Sequence, residues 1–266
     1  MKDILIRGLT GAVYVGVLIG SFWLGPETTY LLLLVLLVIA LYEMQGILSR
    51  SEVSSWLIAV PSLWFVSSVL EQFGLNDARL YYPIVLFIWF VSLLIRRSKT
   101  ITEDLTTIGA LYLYPTLSFY LVPQLLGAGD AWRPEILFST FLLIWANDTF
   151  AYLTGRFFGK RKLAPQISPN KTIEGLAGGL FFMLAVAANL HLLFPIESMA
   201  TWICFGVLIG LTGNTGDLFE SWLKRRHGIK DSGTLLPGHG GVLDRLDSFI
   251  FSAPFIYVFW RMADLL

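Results

Sequence analysis

The chain is poor in charge and in the residues that build metal or disulfide clusters. Only 14% of its 266 residues are charged, against about 25% in ordinary soluble domains. Such a chain cannot cover a water-facing surface, which excludes a soluble cytosolic enzyme, a disordered protein and a nucleic-acid binder. The single Cys204 excludes a disulfide framework, and three scattered histidines exclude a Cys/His zinc cluster. Lys plus Arg and Asp plus Glu number 19 each, so net charge indicates no partner.

Apolar residues, by contrast, make up 55% of the chain and fall into long runs. A helix that crosses a bilayer needs about 20 mainly apolar residues. The pattern therefore predicts an all-α, polytopic integral membrane protein with about nine transmembrane helices. The first resembles a signal peptide but lacks a small-residue cleavage site, so it is interpreted as a retained span. The predicted spans are 4–24, 29–48, 56–72, 81–97, 106–126, 135–155, 173–194, 201–222 and 247–265.

Basic residues are distributed unevenly between the two ends of these spans. With nine spans, every Lys and Arg except Arg79, Arg133 and Arg261 falls on the side of the N-terminus. This asymmetry follows the positive-inside rule and predicts a cytoplasmic N-terminus. Unusual polar residues concentrate in the second half. We therefore expect scaffold helices in 1–140 and a catalytic region in 141–266.

Ionisable residues inside spans are costly and indicate functional sites. Asp148 lies within the sixth span, where a buried aspartate bonded to its neighbours is the alternative. In the eighth span, a spacing of three, four and three residues places four polar side chains on one helix face, which a structural polar seam would also explain. These residues are Asn214, Asp217, Ser221 and Lys224. Glu43, near the inner end of the second span, is expected to reach the interface or a polar partner.

The cytoplasmic loop 223–246 carries a glycine-rich turn around His239, just before the ninth span. Glycines allow positive φ and close approach to a ligand, and helix N-termini attract anions. Asp244 and Asp247 are one turn apart and, with Asp217, would suit Mg²⁺, which favours a few carboxylates plus phosphate oxygens. The alternative for Asp244 and Asp247 is stabilisation of the helix N-terminus.

The second cytoplasmic loop, 156–172, ends in the polar, turn-forming segment 168–172. We expect Thr172 or Asn170 to cap the next helix, with Glu174 in its first turn. Lys171 would then lie near a helix N-terminus, where a phosphate is favourable. Three glycine pairs spaced four apart predict close helix packing. They are Gly16/Gly20, Gly175/Gly179 and Gly206/Gly210.

Carboxylates for a divalent ion, several cations and a glycine-rich turn all converge on the cytoplasmic side. This combination indicates phosphoryl or nucleotidyl transfer, in which cations neutralise charge on phosphate oxygens. Its position at the ends of the spans implies one water-soluble substrate and one lipid substrate.

Residues 145–250 also carry motifs of a known family. The sequence resembles phosphatidate cytidylyltransferases, also called CDP-diacylglycerol synthases. The motifs are Asp148-Thr-Phe-Ala-Tyr-x-x-Gly155, Ile167-Ser168-Pro169-Asn170-Lys171-Thr172-x-Glu174-Gly175, Ser221-x-x-Lys224-Arg225, Lys230-Asp231-Ser232-Gly233 and Leu236-Pro237-Gly238-His239-Gly240-Gly241-x-x-Asp244-Arg245-x-Asp247-Ser248.

The resemblance implies that CTP and phosphatidate give CDP-diacylglycerol and pyrophosphate, with Mg²⁺ and without a covalent enzyme intermediate. A second cation and a homodimer are left open. The implied location is the bacterial inner (plasma) membrane, with the active site facing the cytoplasm. The expected metal ligands are Asp217, Asp244 and Asp247. The expected catalytic residues are Asp217, Asp244, Lys224, Asp148 and Asp231. The expected substrate-binding residues are Ser168, Asn170, Lys171, Asn214, Ser221, Lys230, His239, Gly240, Gly241 and Arg245.

Two other functions remain open at this point. A CTP-dependent polyprenol or dolichol kinase would use similar groups but would form a phosphorylated alcohol. A transporter of a phosphorylated solute would favour inverted repeats with polar residues near the membrane midplane. Here the polar residues cluster at one face and in one half of the chain, which argues against a transporter.

Overall fold

The computed structural model describes residues 2–48, 55–74, 114–235, 238 and 240–264. Helices dominate these ranges, as expected where every backbone polar group must be satisfied within its own segment. In chain order the helices are α1 (Lys2–Leu24), α2 (Pro26–Leu48), α3 (Ser55–Gln72), α4 (Leu117–Leu126), α5 (Pro134–Phe158), α6 (Ile173–Leu193), α7 (Met199–Arg226) and α8 (Leu243–Ala263).

Four helical segments among the described residues are long and apolar enough to cross a membrane. They are Pro26–Ile47, Gly129–Phe158, Ile173–Leu193 and Met199–Arg226. The length and composition of these helices support an all-α membrane protein. The fourth predicted span, 81–97, and the start of the fifth lie outside the described residues, so the number nine stays a prediction.

The chain forms two compact units. The first comprises Met1–Pro134 and Asp231–Leu246. Here α1 packs on α2, and α3 packs on both α2 and α4. The buried Tyr30 hydroxyl donates to the carbonyl of Gly127, and its ring meets Trp132 edge-on at 5.6 Å between centroids. These contacts fix α2 against the segment that follows α4.

The second unit comprises Glu135–Lys230 and Asp247–Leu266. Its helices approach closely at glycines. A Cβ on Gly179 would lie 2.8 Å from the Asn147 carbonyl oxygen of α5, and one on Gly206 would lie 2.8 Å from Ala187 of α6. The packing expected of Gly175/Gly179 and Gly206/Gly210 is therefore confirmed. A Cβ at Gly16 or Gly20, in the first unit, would meet nothing within 4 Å.

A two-stranded antiparallel sheet is an addition to the all-α prediction. Strand β1 (Lys162–Ala164) pairs with β2 (Ser168–Thr172), with Lys162 opposite Thr172 and Ala164 opposite Ser168. The turn expected at 168–172 is thus wrong. A residue before proline is held extended, and here Ser168 precedes Pro169, so the segment begins in strand conformation.

The start of α6 agrees with the sequence. The Thr172 hydroxyl accepts the N–H of Gly175 at 3.0 Å, which confirms Thr172 as the cap. Glu174 lies in the first turn and accepts the N–H groups of Lys160 and Arg161 at 3.0 and 3.1 Å. Its other oxygen pairs with Arg161 Nε at 2.9 Å. The loop that leads into β1 is therefore tied to the helix that follows β2.

Candidate active site

A cavity of about 370 Å³ lies in the second unit and is lined by α5, the hairpin, α6 and α7. Polar side chains from three separate segments, α5, β2 and α7, meet in it. Its lining consists of Asp148, Ala151, Tyr152, Gly155, Arg156, Leu163, Asn170, Lys171, Thr172, Gly175, Leu176, Asn214 and Asp217.

Helix α5 contributes a polar stripe to this wall. Asp148, Tyr152 and Arg156 are four residues apart, so they follow one face of the helix. Arg156 Nη1 donates to the Tyr152 hydroxyl at 3.2 Å. All three side chains are exposed. The stripe therefore carries an acid at one end and a guanidinium group at the other.

Strand β2 and helix α7 bring opposite charges together across the cavity. The ammonium group of Lys171 forms an ion pair with the carboxylate of Asp217, and the two side chains are 27% and 28% exposed. Ser221, one turn along α7, donates its hydroxyl to the same carboxylate at 3.4 Å. The cation and the acid are both accessible to a ligand.

Hydrogen bonds between two side-chain amides connect α5 and α7 beside the cavity. Asn147 on α5 and Asn214 on α7 exchange side-chain hydrogen bonds of 3.3 and 3.4 Å. Asn147 also donates to Asp148 at 3.3 Å. The alternative for Asp148 was a buried aspartate bonded to its neighbours. Asp148 does bond its neighbour Asn147, but its side chain is exposed in the cavity and not buried.

Lys224 is the last of the four polar residues predicted to share one face of α7, and its surroundings are buried. Its ammonium group lies 3.0 Å from Glu220, whose side chain is fully buried, and its own side chain is only 10% exposed. Lys224 does not line the cavity. Removal of one partner of such a buried ion pair would leave an uncompensated charge inside the protein.

Several acidic residues of the second unit lie near one another. Asp247 is half-buried and lies within electrostatic range of Asp217, Glu220 and Asp148. Across the described part of the chain, no three Asp, Glu, His or Cys side chains are grouped as a metal site. Mg²⁺ usually keeps several waters and takes one or two carboxylates together with substrate phosphates. The acids here are of the type and charge that such an ion requires.

The first unit carries the glycine-rich loop. Gly240 has φ of +82°, a conformation that favours glycine. Asp244 accepts the N–H groups of Ser232 and Gly241, at 3.1 and 2.9 Å. His239 lies outside the described residues.

Glu43 of α2 also belongs to this loop environment. Only 5% of the residue is exposed. Its carboxylate accepts the Ser232 hydroxyl at 3.0 Å and the N–H groups of Val242 and Leu243 at 3.0 and 2.8 Å. The expected polar partner of Glu43 is therefore the loop that carries the glycine motif.

Comparison with known proteins identifies the family. The model of the cytidylyltransferase family matches residues 5–263. The chain belongs to the cytidylyltransferase family. It is 32% identical to the phosphatidate cytidylyltransferase of Bacillus subtilis (strain 168) over 268 residues, which cover 97% of each chain.

Two staphylococcal relatives match shorter stretches more closely. The phosphatidate cytidylyltransferase of Staphylococcus aureus (strain COL) is 53% identical over 120 residues, 44% of this chain and 46% of that protein. The phosphatidate cytidylyltransferase of Staphylococcus saprophyticus is 44% identical over 153 residues, 57% of this chain and 54% of that protein. The family resemblance drawn from residues 145–250 is confirmed.

The structure of this cytidylyltransferase brings part of the expected site into one cavity. The expected residues that line it are Asp148, Asn170, Lys171, Asn214 and Asp217. Of the other expected residues in the second unit, Ser221 bonds Asp217, Ser168 is half-buried on β2, and Lys230 is exposed beyond α7. In the first unit, Asp231 and Arg245 are exposed.

Sequence reasoning missed two cavity residues of this cytidylyltransferase. Arg156 was grouped with the basic residues of the cytoplasmic side, and Tyr152 was assigned no role. Their spacing of four from Asp148 was the available signal, because it places all three on one helix face. The contribution of Asn147 had a weaker signal, an amide within an apolar span.

Proposed function

We propose that this protein transfers CMP from CTP to phosphatidate and forms CDP-diacylglycerol and pyrophosphate. Membership of the cytidylyltransferase family and a relative of this name that aligns over 97% of the chain support the reaction. Apolar helices support a lipid substrate that is met at the membrane.

The observation that carries the proposal is the charge arrangement of the cavity. Lys171 and Arg156 offer cations to phosphate oxygens, while Asp148 and Asp217 offer acids in the same space. Preorganised charges of this kind stabilise the charge that builds up as a phosphoanhydride is cleaved. A cavity with cations alone would suit anion binding but would not attract a divalent ion.

The proposed reaction is a direct displacement. An oxygen of the phosphatidate phosphate forms a bond to the α-phosphorus of CTP, and the bond from that phosphorus to the bridging oxygen breaks as pyrophosphate leaves. No covalent enzyme intermediate is required. Lys171 and Arg156 hold the phosphate chain, and Asn170 and Asn214 orient it.

Mg²⁺ is the proposed cofactor. Asp217 and Asp247 are its proposed ligands in the second unit, with Asp148 as a further candidate. When bound, the ion would neutralise charge on the phosphate oxygens and orient them. For Asp244, the sequence predicts a ligand role, while in the structure its carboxylate accepts two backbone N–H groups of its own loop.

The proposed location is the bacterial inner membrane, with the N-terminus and the active site on the cytoplasmic side. The positive-inside distribution of basic residues supports this orientation. On that side CTP would arrive from water and phosphatidate from the bilayer. A homodimer and a second cation remain predictions.

Position-specific labels test the reaction. Purified protein is incubated with phosphatidate vesicles, Mg²⁺ and CTP labelled at either the α or the γ phosphate, and the lipids are separated by thin-layer chromatography. We expect the α label in the lipid and the γ label in pyrophosphate. Transfer of the γ label to a polyprenol included in the same vesicles would instead indicate a kinase. Counterflow of labelled solute without any lipid product would indicate a transporter.

A further inference from the structure

Glu43 is an acid buried in the first unit, far in sequence from every motif of the family. It lies on α2, and its partners Ser232, Val242 and Leu243 follow 189, 199 and 200 residues later. Three donors converge on two carboxylate oxygens. Val242 N–H donates to Oε1, while Leu243 N–H and the Ser232 hydroxyl donate to Oε2.

Two of these donors are the free N–H groups at the start of α8. The first N–H groups of a helix have no partner within the helix, and a polar side chain at the capping position usually satisfies one of them. Here that position is Val242, whose apolar side chain accepts no hydrogen bond. Glu43, on another helix, supplies the acceptor that Val242 lacks. Its carboxylate therefore lies at the N-terminus of α8, the end of a helix that favours anions.

The glycines of the loop leave space for this carboxylate. A Cβ on Gly233 would lie 2.5 Å from Glu43 Oε1, and a Cβ on Gly241 would lie 2.0 Å from Ser232 Oγ and 2.5 Å from Glu43 Oε2. These distances are shorter than atoms tolerate. Glycine at these two positions therefore leaves room for the Glu43 carboxylate and for the Ser232 hydroxyl that donates to it.

Ser232 connects Glu43 to Asp244. Its hydroxyl donates to Glu43, while its backbone N–H donates to both oxygens of Asp244, at 3.2 and 3.1 Å. Asp244 in turn accepts the N–H of Gly241. Two acids thus hold the two ends of one loop, and a change at Glu43 reaches Asp244 through Ser232.

We propose that Glu43 is a positioning residue, which fixes the described parts of the signature loop (residues 231–235 and 240–242) and the start of α8 in the conformation that cytidylyl transfer requires. This inference rests on the proposed function. Glu43 acts through Ser232, Gly241 and Asp244 and does not itself contact the substrate.

The first test compares two identical substitutions in the same unit. Glu43→Gln keeps the side-chain volume but replaces one oxygen by an NH₂ group that faces donors. Glu71→Gln is the matched control, since Glu71 accepts a hydrogen bond from Gln124 at 2.9 Å on a different pair of helices. We expect kcat/KM for CTP to fall about 10–100-fold for Glu43→Gln, the usual range for residues that orient catalytic groups. Glu71→Gln should leave this value unchanged.

The second test needs no activity. Amide hydrogen exchange, read by mass spectrometry on protein in detergent without nucleotide or metal, should accelerate in 231–243 of Glu43→Gln and stay unchanged in α7. Ser232→Ala removes one donor to Glu43 and should accelerate exchange in the same segment more weakly. The double variant should lose less activity than the product of the two single losses, because both substitutions break one connected network.

The outcomes separate the two proposals. If the wild-type protein forms no CDP-diacylglycerol but Glu43→Gln still loosens 231–243, the proposed function fails and the structural role of Glu43 stands. Normal exchange in 231–243 together with normal kcat/KM in Glu43→Gln would overturn the positioning role. If Glu43→Gln does not fold, Ser232→Ala decides alone, and unchanged exchange and kinetics in that variant would overturn the proposal.

Discussion

Lys171 on β2 and Asp217 on α7 form an ion pair across the cavity, although 46 residues separate them in the chain. The hairpin brings the lysine to the helix, and the contact pairs its positive charge with the negative charge of the carboxylate. A substrate phosphate would compete for the ammonium group and release the carboxylate to hold a cation. Phosphate binding and cation binding are therefore expected to be coupled at this pair.

The first prediction concerns the cation of this pair. Lys171→Met should lower kcat/KM for CTP by about 100-fold, because a fixed positive charge on the phosphate chain is lost. Lys162→Met is the matched control, since Lys162 lies opposite Thr172 in the same hairpin, is exposed and does not line the cavity. Initial rates of CDP-diacylglycerol formation measure both. Equal losses in the two variants would contradict a specific role of Lys171.

The second prediction concerns the acids. Asp217→Asn and Asp247→Asn should each raise the Mg²⁺ concentration for half-maximal rate, because Mg²⁺ prefers charged oxygen ligands. Chelation of divalent ions should stop the wild-type reaction, and added Mg²⁺ should restore it. Glu197→Gln, between α6 and α7, serves as the control because Glu197 does not line the cavity. A Mg²⁺ dependence that is unchanged in both Asp variants would argue against these ligands.

Hydropathy predicted the positions of α5 and α7 well but placed their ends less accurately. The predicted spans 135–155 and 201–222 correspond to α5 and α7, but these helices continue to Phe158 and Arg226. The length of an apolar run is set by the thickness of the bilayer. A helix can extend beyond that run into water, so its ends do not coincide with the ends of the run. Strand β2 was missed because a short polar segment shows neither helical nor alternating hydrophobic periodicity, and its pairing with β1 decides its conformation.

The candidate site was predictable where a polar residue interrupts an apolar span. Asp148, Asn214 and Asp217 stood out for this reason, and all three line the cavity. Arg156 did not stand out, because a basic residue at a cytoplasmic helix end has a general explanation. The partners of Glu43 could not be inferred, since no local pattern links a residue of α2 to a loop nearly 200 residues later.

The third prediction tests the missed cation. Arg156→Gln should lower kcat/KM for CTP by roughly tenfold or more, the cost of a lost charge-assisted hydrogen bond. Tyr152→Phe should have a smaller effect, because the guanidinium group remains after its 3.2 Å bond to the hydroxyl is removed. Arg226→Gln is the control, since Arg226 is exposed and lies over the Trp222 ring, away from the cavity lining. Comparable losses in Arg156→Gln and Arg226→Gln would point to a general surface-charge effect.

The fourth prediction links helix packing to the site. A Cβ at Gly179 would lie 2.8 Å from both the Ala151 Cβ and the carbonyl oxygen of Asn147, so Gly179→Ala must push α6 away from α5. We expect a loss of about 1–3 kcal/mol in the free energy of unfolding, as for other overpacked interiors. Activity should fall as well, because α5 carries Asp148 and Arg156 into the cavity. Gly8→Ala on α1 is the control, since its Cβ would meet nothing within 4 Å. Thermal unfolding in detergent measures both variants, and an unchanged midpoint in Gly179→Ala would mean that the two helices are less closely packed than this contact requires.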